Sequence, residues 1–187
     1  MSAASIILLP HTLEHVRALR EGSAVYEHCF GLAVAEGVHE FVTGPEVSES
    51  FLERLHASTV SDPWTDGFGI IHSADNILIG LCSFGGPPTA DGMVEISYGI
   101  APSYRCRGFA TESAQMLIAR ALASGRVRTL RAHTLPERNA STKVLEKCGF
   151  TLQEEVMHPE DGLIWRWELR HQRPNQAMQR TAGRSDV

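Results

Sequence analysis

The chain is short of cysteine, of long apolar runs and of positive charge, and each shortage removes a class of protein. Its four cysteines, Cys29, Cys82, Cys106 and Cys148, are scattered, with no CxxC and no paired spacing. A disulfide framework is therefore not expected, and free thiols in a reducing, cytoplasmic setting fit this usage. No apolar run is long enough to span a bilayer. The opening MSAASIILLPHT has only a four-residue apolar run and no basic flank, which does not read as a signal peptide. Lys and Arg number 17 against 22 Asp and Glu, for a formal net charge of −5. The deficit is sharper in the body. From 170 onward Arg170, Arg173, Arg180 and Arg184 stand against Asp186 alone, a local +3 that leaves −8 elsewhere. A body of that sign makes a poor nucleic-acid binder, which needs a basic face, but it can welcome a cationic substrate.

With 187 residues and 43% hydrophobic content, the chain suits one domain with a substantial core. We place that domain over residues 1–170. Residues 171–187 lack an apolar period and are rich in Arg, Gln, Asn and Ser, so they read as a disordered polar tail. Within the domain, Ile6 to Leu9 reads as a short strand. Three helical patterns follow, HTLEHVRALREG, SAVYEHCFGLA and PEVSESFLERLHAS, the last opened by Pro45 and Glu46. From Phe68 the period changes to that of strands: GFGIIHS and ILIGLCSF form a hairpin about the turn ADN, and MVEISYGI is a third strand. A helix over TESAQMLIARALAS ends at Gly125, TLRAHTL is strand-like, NASTKVLEKCGF is a short helix, and two strands close the domain. That order gives an α+β fold, a mixed sheet with helices on both faces.

The segment YRCRGFATES, residues 104–113, sets a glycine and two cations at the mouth of a helix. Helix N-termini present unpaired N–H groups and a partial positive charge, so this is an anion cradle or a basic cap. Gly108 lets the backbone approach a ligand without a Cβ, Ala110 keeps the next position small, and Thr111 adds a hydroxyl. Neither GxxxxGK[ST] nor GxGxxG is present. A nucleotide-binding protein is therefore disfavoured, and a pyrophosphate on some other ligand remains.

Two stretches together resemble the signatures of the GNAT superfamily of N-acetyltransferases. Arg105-Cys106-Arg107-Gly108-Phe109-Ala110 matches its acyl-CoA pattern Gln/Arg-x-x-Gly-x-Gly/Ala, and Ala110-Thr111-Glu112-Ser113 is similar to the continuation seen in the RimJ/RimL-like branch. Asn139-Ala140-Ser141 followed by Val144-Leu145-Glu146-Lys147-Cys148-Gly149-Phe150 resembles its second signature, with the serine two residues after the asparagine. The resemblance runs over about residues 5–170. It implies a mostly antiparallel central sheet with a splay between the strands at 93–100 and 129–135. It also implies acetyl-CoA lying in that splay as acyl donor. Pyrophosphate would rest on the amides around Arg107, Gly108 and Ala110, with Arg105, Cys106, Phe109 and Thr111 in the same cradle. Pantetheine would pair with backbone from Tyr98 to Ile100, and Asn139 and Ser141 would contact the cofactor. The family forms monomers and homodimers.

Acyl transfer to an amine needs a neutral amine, a stabilised oxyanion and a proton for the departing thiolate. Glu95 interrupts an apolar strand just before the turn, and superfamily members often place a base there, so we assign it as the candidate catalytic base. Strand alternation puts Ser97 on the same face and Tyr98 on the other. Many relatives use a tyrosine four residues before the final Gly-Phe pair as general acid; here Leu145 stands there. Ser141 is the substitute candidate near the sulfur, with capping of the helix as its competing reading, and Asn139 is a candidate N-cap. His133 is either a relay or a buried structural residue. A covalent role for Cys106 or Cys148 is not expected. Nor is a metal, because His11 and His15 at i,i+4 have no evident third ligand. Trp64, Phe68, Trp165 and Trp167 read as core, with one of the last pair bordering the acceptor cleft. Glu36, Glu40, Glu46 and Glu49 are candidates to attract an amine.

The lost tyrosine favours a low-pKa amine. An α-amine of pKa about 8 costs only about 1 kcal/mol to deprotonate at neutral pH, against about 4 kcal/mol for a lysine-like amine. The expected function is thus acetyl transfer from acetyl-CoA to a protein N-terminus or an amino-acid-like metabolite. An aminoglycoside or polyamine acetyltransferase and a non-catalytic acyl-CoA sensor are the alternatives.

Overall fold

The computed structural model describes residues 5–44, 47, 52, 53, 57, 59–159 and 162–171. The helix expected over 45–58 and the tail expected over 171–187 fall almost wholly outside the described residues. The described elements run β1 (Ile6–Pro10), α1 (Leu13–Glu21), α2 (Ser23–Phe30), β2 (Ala33–Val34), α3 (Glu40–Thr43), α4 (Pro63–Asp66), β3 (Phe68–His72), β4 (Ile77–Phe84), β5 (Met93–Ile100), α5 (Phe109–Ala123), β6 (Thr129–Thr134), α6 (Ala140–Lys147), β7 (Thr151–His158) and β8 (Gly162–Arg170). The sheet order is β1-β3-β4-β5-β6-β8-β7, with β2 added in parallel to β4. Neighbours along that path are antiparallel except β5 and β6, which are parallel.

Alternation along the strands sends side chains to two separate cores. Ile70 and Ile79 join Ile6, Leu117, Leu130 and Leu145 on the face covered by α5 and α6. Their neighbours Ile71 and Leu78 join Leu19, Tyr26 and Val38 on the face covered by α1 and α2. This is the predicted sheet with helices on both faces. The β3–β4 hairpin closes with Asn76 at φ 53°, a left-handed position that asparagine tolerates better than most residues. Helix α5 begins at Phe109, two residues before the predicted start, and buries Phe109, Ser113, Ala114, Leu117 and Ala121 along one stripe. Burying each such leucine contributes about 1.5–3 kcal/mol.

One junction departs from regular pairing. Strands β5 and β6 pair only at Met93–Thr129, Val94–Leu130 and Glu95–Arg131. Beyond that point β5 stays paired with β4 as far as Ile100, and β6 stays paired with β8 as far as Thr134. The parallel strands therefore separate after Glu95, where the splay was expected.

Candidate active site

The separation of β5 and β6 begins at a carboxylate–imidazole pair. Glu95 Oε1 lies 2.8 Å from His133 Nδ1, with the carboxylate side chain 43% and the imidazole 22% exposed. A carboxylate only accepts, so Nδ1 carries the hydrogen and Nε2 of a neutral ring is left as an acceptor. Arg131, the register partner of Glu95, does not compete for it. Its guanidinium bonds Glu168 at 2.9 Å, and Arg131 is the main influence holding the Glu168 carboxyl below its usual range. His133 is thus neither isolated nor purely a core residue: it joins the predicted base across the splay.

At the far end of β5 the chain turns through a 3₁₀ segment, Pro102–Tyr104, into the start of α5. Cys106 at φ 59° and Gly108 at φ 89° both take left-handed backbone angles. Such alternation curls successive N–H groups toward one point. No side chain caps α5, whose N-cap is Gly108. Among the described residues, its chain neighbours and the helix backbone aside, no atom lies within 4 Å of where a Gly108 Cβ would stand, so the mouth of the helix is open to them. The cations of the turn find partners within it. Arg105 Nε donates to the Ile100 carbonyl at 2.9 Å, and the Arg107 guanidinium sits 5.0 Å from the Phe109 ring centre and 5.4 Å from that of Tyr104. Both side chains brace the loop, and the exposed backbone is what remains for an anion. The Phe109 side chain is a core anchor, buried against His72 and Tyr104, and leaves its backbone at the turn. Ile100 is likewise buried and presents only backbone. Ala110 and Thr111 are half-buried in the first turn.

The second signature forms α6. Asn139 is its N-cap: its side chain accepts from the Thr142 N–H at 3.1 Å, and the Thr142 hydroxyl accepts from the Asn139 N–H at 3.1 Å. Capping is therefore done by Asn139 and Thr142, and the Ser141 hydroxyl is not part of it. The Ser141 carbonyl accepts from the Tyr98 hydroxyl at 3.3 Å, which ties β5 to α6 across the splay. Burial pushes the Tyr98 phenol above its usual range. Leu145 is fully buried in the core. Cys148 is half-buried, its thiol directed at the Thr111 carbonyl and pushed up by burial, which suits a neutral thiol rather than a nucleophile.

On the other face a cavity of about 570 Å³ lies between α1, α3, α4 and strands β3 to β5, a size common for small-molecule sites. Its walls include Val16, Leu19, Phe41, Phe68, Leu81 and Phe84, and its polar groups are His11, Glu40, Thr65, Asp66, Ser83 and Ser97. Ser83 and Ser97, register partners on β4 and β5, share a 2.8 Å hydroxyl contact. The outer end of the Phe41 ring abuts Gly99, with Cζ, Cε1 and Cε2 3.1 to 3.2 Å from where a Cβ would be. Of the expected acidic wall, Glu40 lines the cavity, Glu36 is exposed, and Glu46 and Glu49 lie outside the described residues. The two N-terminal histidines have other partners. His11 Nε2 meets the Tyr26 hydroxyl at 3.0 Å, while His15 Nδ1 bonds the Thr12 N–H and stacks on Phe30. Trp64 packs on Phe84, and Trp167 is buried with its indole N–H on Thr134, so these aromatics are core as expected. Phe41 and Ser83 were not singled out from sequence, since nothing local marks a four-residue helix or a serine on an apolar strand as site residues.

Comparison with known proteins agrees with this geometry. A family model described as an acetyltransferase (GNAT) domain matches residues 6–151. The uncharacterized N-acetyltransferase YjdG of Bacillus subtilis (strain 168) is 36% identical over 99 residues, which are 51% of this chain and 59% of YjdG. The match thus spans less than two thirds of that curated relative. Among solved structures, a GNAT-family acetyltransferase from Bacillus anthracis superimposes with a TM-score of 0.57 at 18% identity, covering 91% of this chain and 97% of that one. The microcin C7 self-immunity acetyltransferase MccE, solved with acetyl-CoA and AMP, gives 0.61 at 19% identity over 90% and 94% of the two chains. A chimera of the Vibrio cholerae spermidine N-acetyltransferase SpeG gives 0.63 at 17% identity over 89% and 96%. At such identities the structures share the fold.

Proposed function

The chain belongs to the GNAT acetyltransferase family, and from that premise we propose that it moves an acetyl group from acetyl-CoA directly to a primary amine. The observation that carries this reading is the Glu95–His133 pair, set where the two parallel strands part. A binding module has no need of a carboxylate and an imidazole 2.8 Å apart at that junction, whereas amine activation does.

Acetyl-CoA supplies an acyl carbon already activated as a thioester. The residues present fit it: the curled, uncapped backbone from Cys106 to Ala110 holds the pyrophosphate, and Tyr98 to Ile100 offer backbone to the pantetheine. The amine reaches Glu95 from the cavity side, along the face of β5 that carries Ser97 and Gly99. Glu95 and His133 together take the amine proton, directly or through one water, and the hydrogen bond between them fixes the orientation of both acceptors. Phe41 closes one wall of the entry.

The acceptor we favour is a low-pKa amine, a protein N-terminus or an amino-acid-like metabolite, in keeping with the RimJ/RimL-like run Ala110-Thr111-Glu112-Ser113. A polyamine or aminoglycoside is the nearest rival, given the net negative body and Glu40 in the cavity wall. The four free thiols support action in the cytoplasm. A melting comparison with acetyl-CoA, CoA, ATP and NAD tests the cradle first. Acetyl-CoA and CoA at 100 times Kd are expected to raise Tm by roughly 5–10 °C, and the two nucleotides are not. CoA release is then followed with a panel of N-terminal peptides, amino acids and polyamines. Binding without turnover on any amine would leave a non-catalytic acyl-CoA sensor in place of an enzyme.

A further inference from the structure

We propose that the Tyr98 hydroxyl serves the leaving-group side of this reaction, donating a hydrogen bond to the CoA sulfur as the acyl–sulfur bond breaks. The inference rests on the acetyl-transfer reading above and deepens it by naming a catalytic residue. Three relationships carry it. The thiolate needs a donor, and Leu145, the α6 residue at the matching place in the family pattern, is fully buried and has no proton to give. Tyr98 lies on β5 three residues beyond Glu95, in the stretch that has left β6, and its hydroxyl reaches the first turn of α6. It therefore spans the opening in which a ligand held between the strands must lie.

The third relationship is one of faces. Alternation along β5 puts Glu95 and Ser97 on the cavity side and Tyr98 on the other. The base thus serves the attacking amine from one face of the sheet and the phenol serves the departing sulfur from the opposite face, an arrangement that separates proton removal from leaving-group departure. Tyr98 is also one of the residues lining the cavity, so it touches both sides of the junction. Its present bond, a single 3.3 Å contact with the Ser141 carbonyl, is long, and a rotating hydroxyl exchanges it readily for a sulfur partner.

The proton ledger sets the kind of help given. A thiol ordinarily ionises near 8.5 and a phenol near 10, and burial raises the Tyr98 phenol further. Full transfer from oxygen to sulfur is uphill, so Tyr98 keeps its proton. The electron pair of the broken C–S bond goes to sulfur, the thiolate accepts the hydrogen bond, and solvent protonates it on release. Tyr98 is then a fixed donor aimed at developing charge, with no need to be recharged between turnovers.

The test is the titration of CoA bound to the protein, followed by thiolate absorbance in the ultraviolet, with wild type, Tyr98→Phe and Ser141→Ala. The phenylalanine ring keeps the packing, and a melting curve checks this. Loss of a hydrogen bond to a charged sulfur is expected to raise the bound thiol's pKa by about one to two pH units in Tyr98→Phe. The same loss should lower kcat roughly 10- to 100-fold, with the Kd of CoA at pH 7 nearly unchanged. Ser141→Ala tests the other hydroxyl named for the sulfur: a raised thiol pKa in that variant with none in Tyr98→Phe assigns the donor to Ser141 and overturns the proposal. A thiol that titrates identically in Tyr98→Phe and wild type, in a protein that binds CoA and turns over an amine, overturns the proposal and leaves the acetyl-transfer reading standing. Wild type that binds no CoA takes both down together.

Discussion

Glu95 Oε1 and His133 Nδ1 meet at 2.8 Å although 38 positions separate them in the chain, because β5 and β6 run parallel up to Glu95–Arg131 and then part. The two residues stand on the same face, Glu95 at the last rung and His133 two residues past its register partner Arg131. Removing the acceptor oxygen tests whether this pair is chemistry or cross-bracing. Glu95→Gln is expected to lower kcat by about 10²- to 10³-fold while acetyl-CoA binding stays intact, the usual scale for loss of a positioned base. His133→Gln should cost a similar factor if the imidazole Nε2 takes the proton, and much less if it only orients Glu95. Steady-state rates with the best acceptor, beside acetyl-CoA titrations, separate these outcomes. Unchanged turnover in both variants would make the pair structural.

Gly108 offers a contrast between strain and contact. At φ 89° an alanine would be strained by about 1–2 kcal/mol, yet beyond the chain neighbours and helix backbone no atom of the described residues lies within 4 Å of the added Cβ. Gly108→Ala should therefore lower Tm by only a few degrees. A ligand resting on these amides would meet the new methyl group directly. Acetyl-CoA affinity is expected to fall at least about tenfold, a larger effect than the strain alone gives at this exposed turn. Equal affinity in the variant would remove the turn as the pyrophosphate cradle.

Much of this architecture was legible, and what was not follows a physical line. Strands β3 to β6 announce themselves because each is a run of apolar residues bounded by turn formers, and Asn139 is readable as a cap because its partner Thr142 is local. The splay was expected from family resemblance and is written in the register. Hidden from sequence were facts decided by tertiary neighbours. Arg131 is occupied by Glu168, which leaves Glu95 free for His133. Arg105 and Arg107 look like anion ligands, yet they bind a carbonyl and two aromatic rings of their own loop. Phe109, inside the signature, faces the core. Two-residue β2 and four-residue α3 lack any period long enough to detect.

His11 gives the fold an acid limit. Burial, reinforced by the charge of His15, lowers its pKa from 6.5 to about 3, and its Nε2 is held by Tyr26. Between those values the unfolded chain binds a proton that the folded chain refuses. The stability from a neutral His11 is therefore fully present above about 6.5 and is lost progressively as pH falls toward 3. The slope from this one group is at most about 1.4 kcal/mol per pH unit. His15, also lowered by burial, acts in the same direction. Melting temperatures measured from pH 7 to pH 4 should decline, and His11→Gln, less stable at pH 7, should decline less steeply. Parallel curves would show that His11 charges freely in the folded protein.

Leu145 decides how the missing tyrosine should be understood. It is fully buried among the side chains that join α6 to the sheet, in the same core as Leu117, Leu130 and Trp167. Leu145→Ala removes buried methyl groups from a site whose neighbours belong to three different elements, so collapse around the gap is restricted. A loss of about 2–5 kcal/mol is expected, visible as a lower urea midpoint with an unchanged slope. Turnover below the melting range should stay within about threefold of wild type, since the residue contributes packing and no proton. That combination differs from the one expected of Tyr98→Phe, which keeps stability and loses rate. If Leu145→Ala instead abolished turnover in a folded protein, α6 would have to be placing a reacting group through this side chain, and the division of labour between Leu145 and Tyr98 would be wrong.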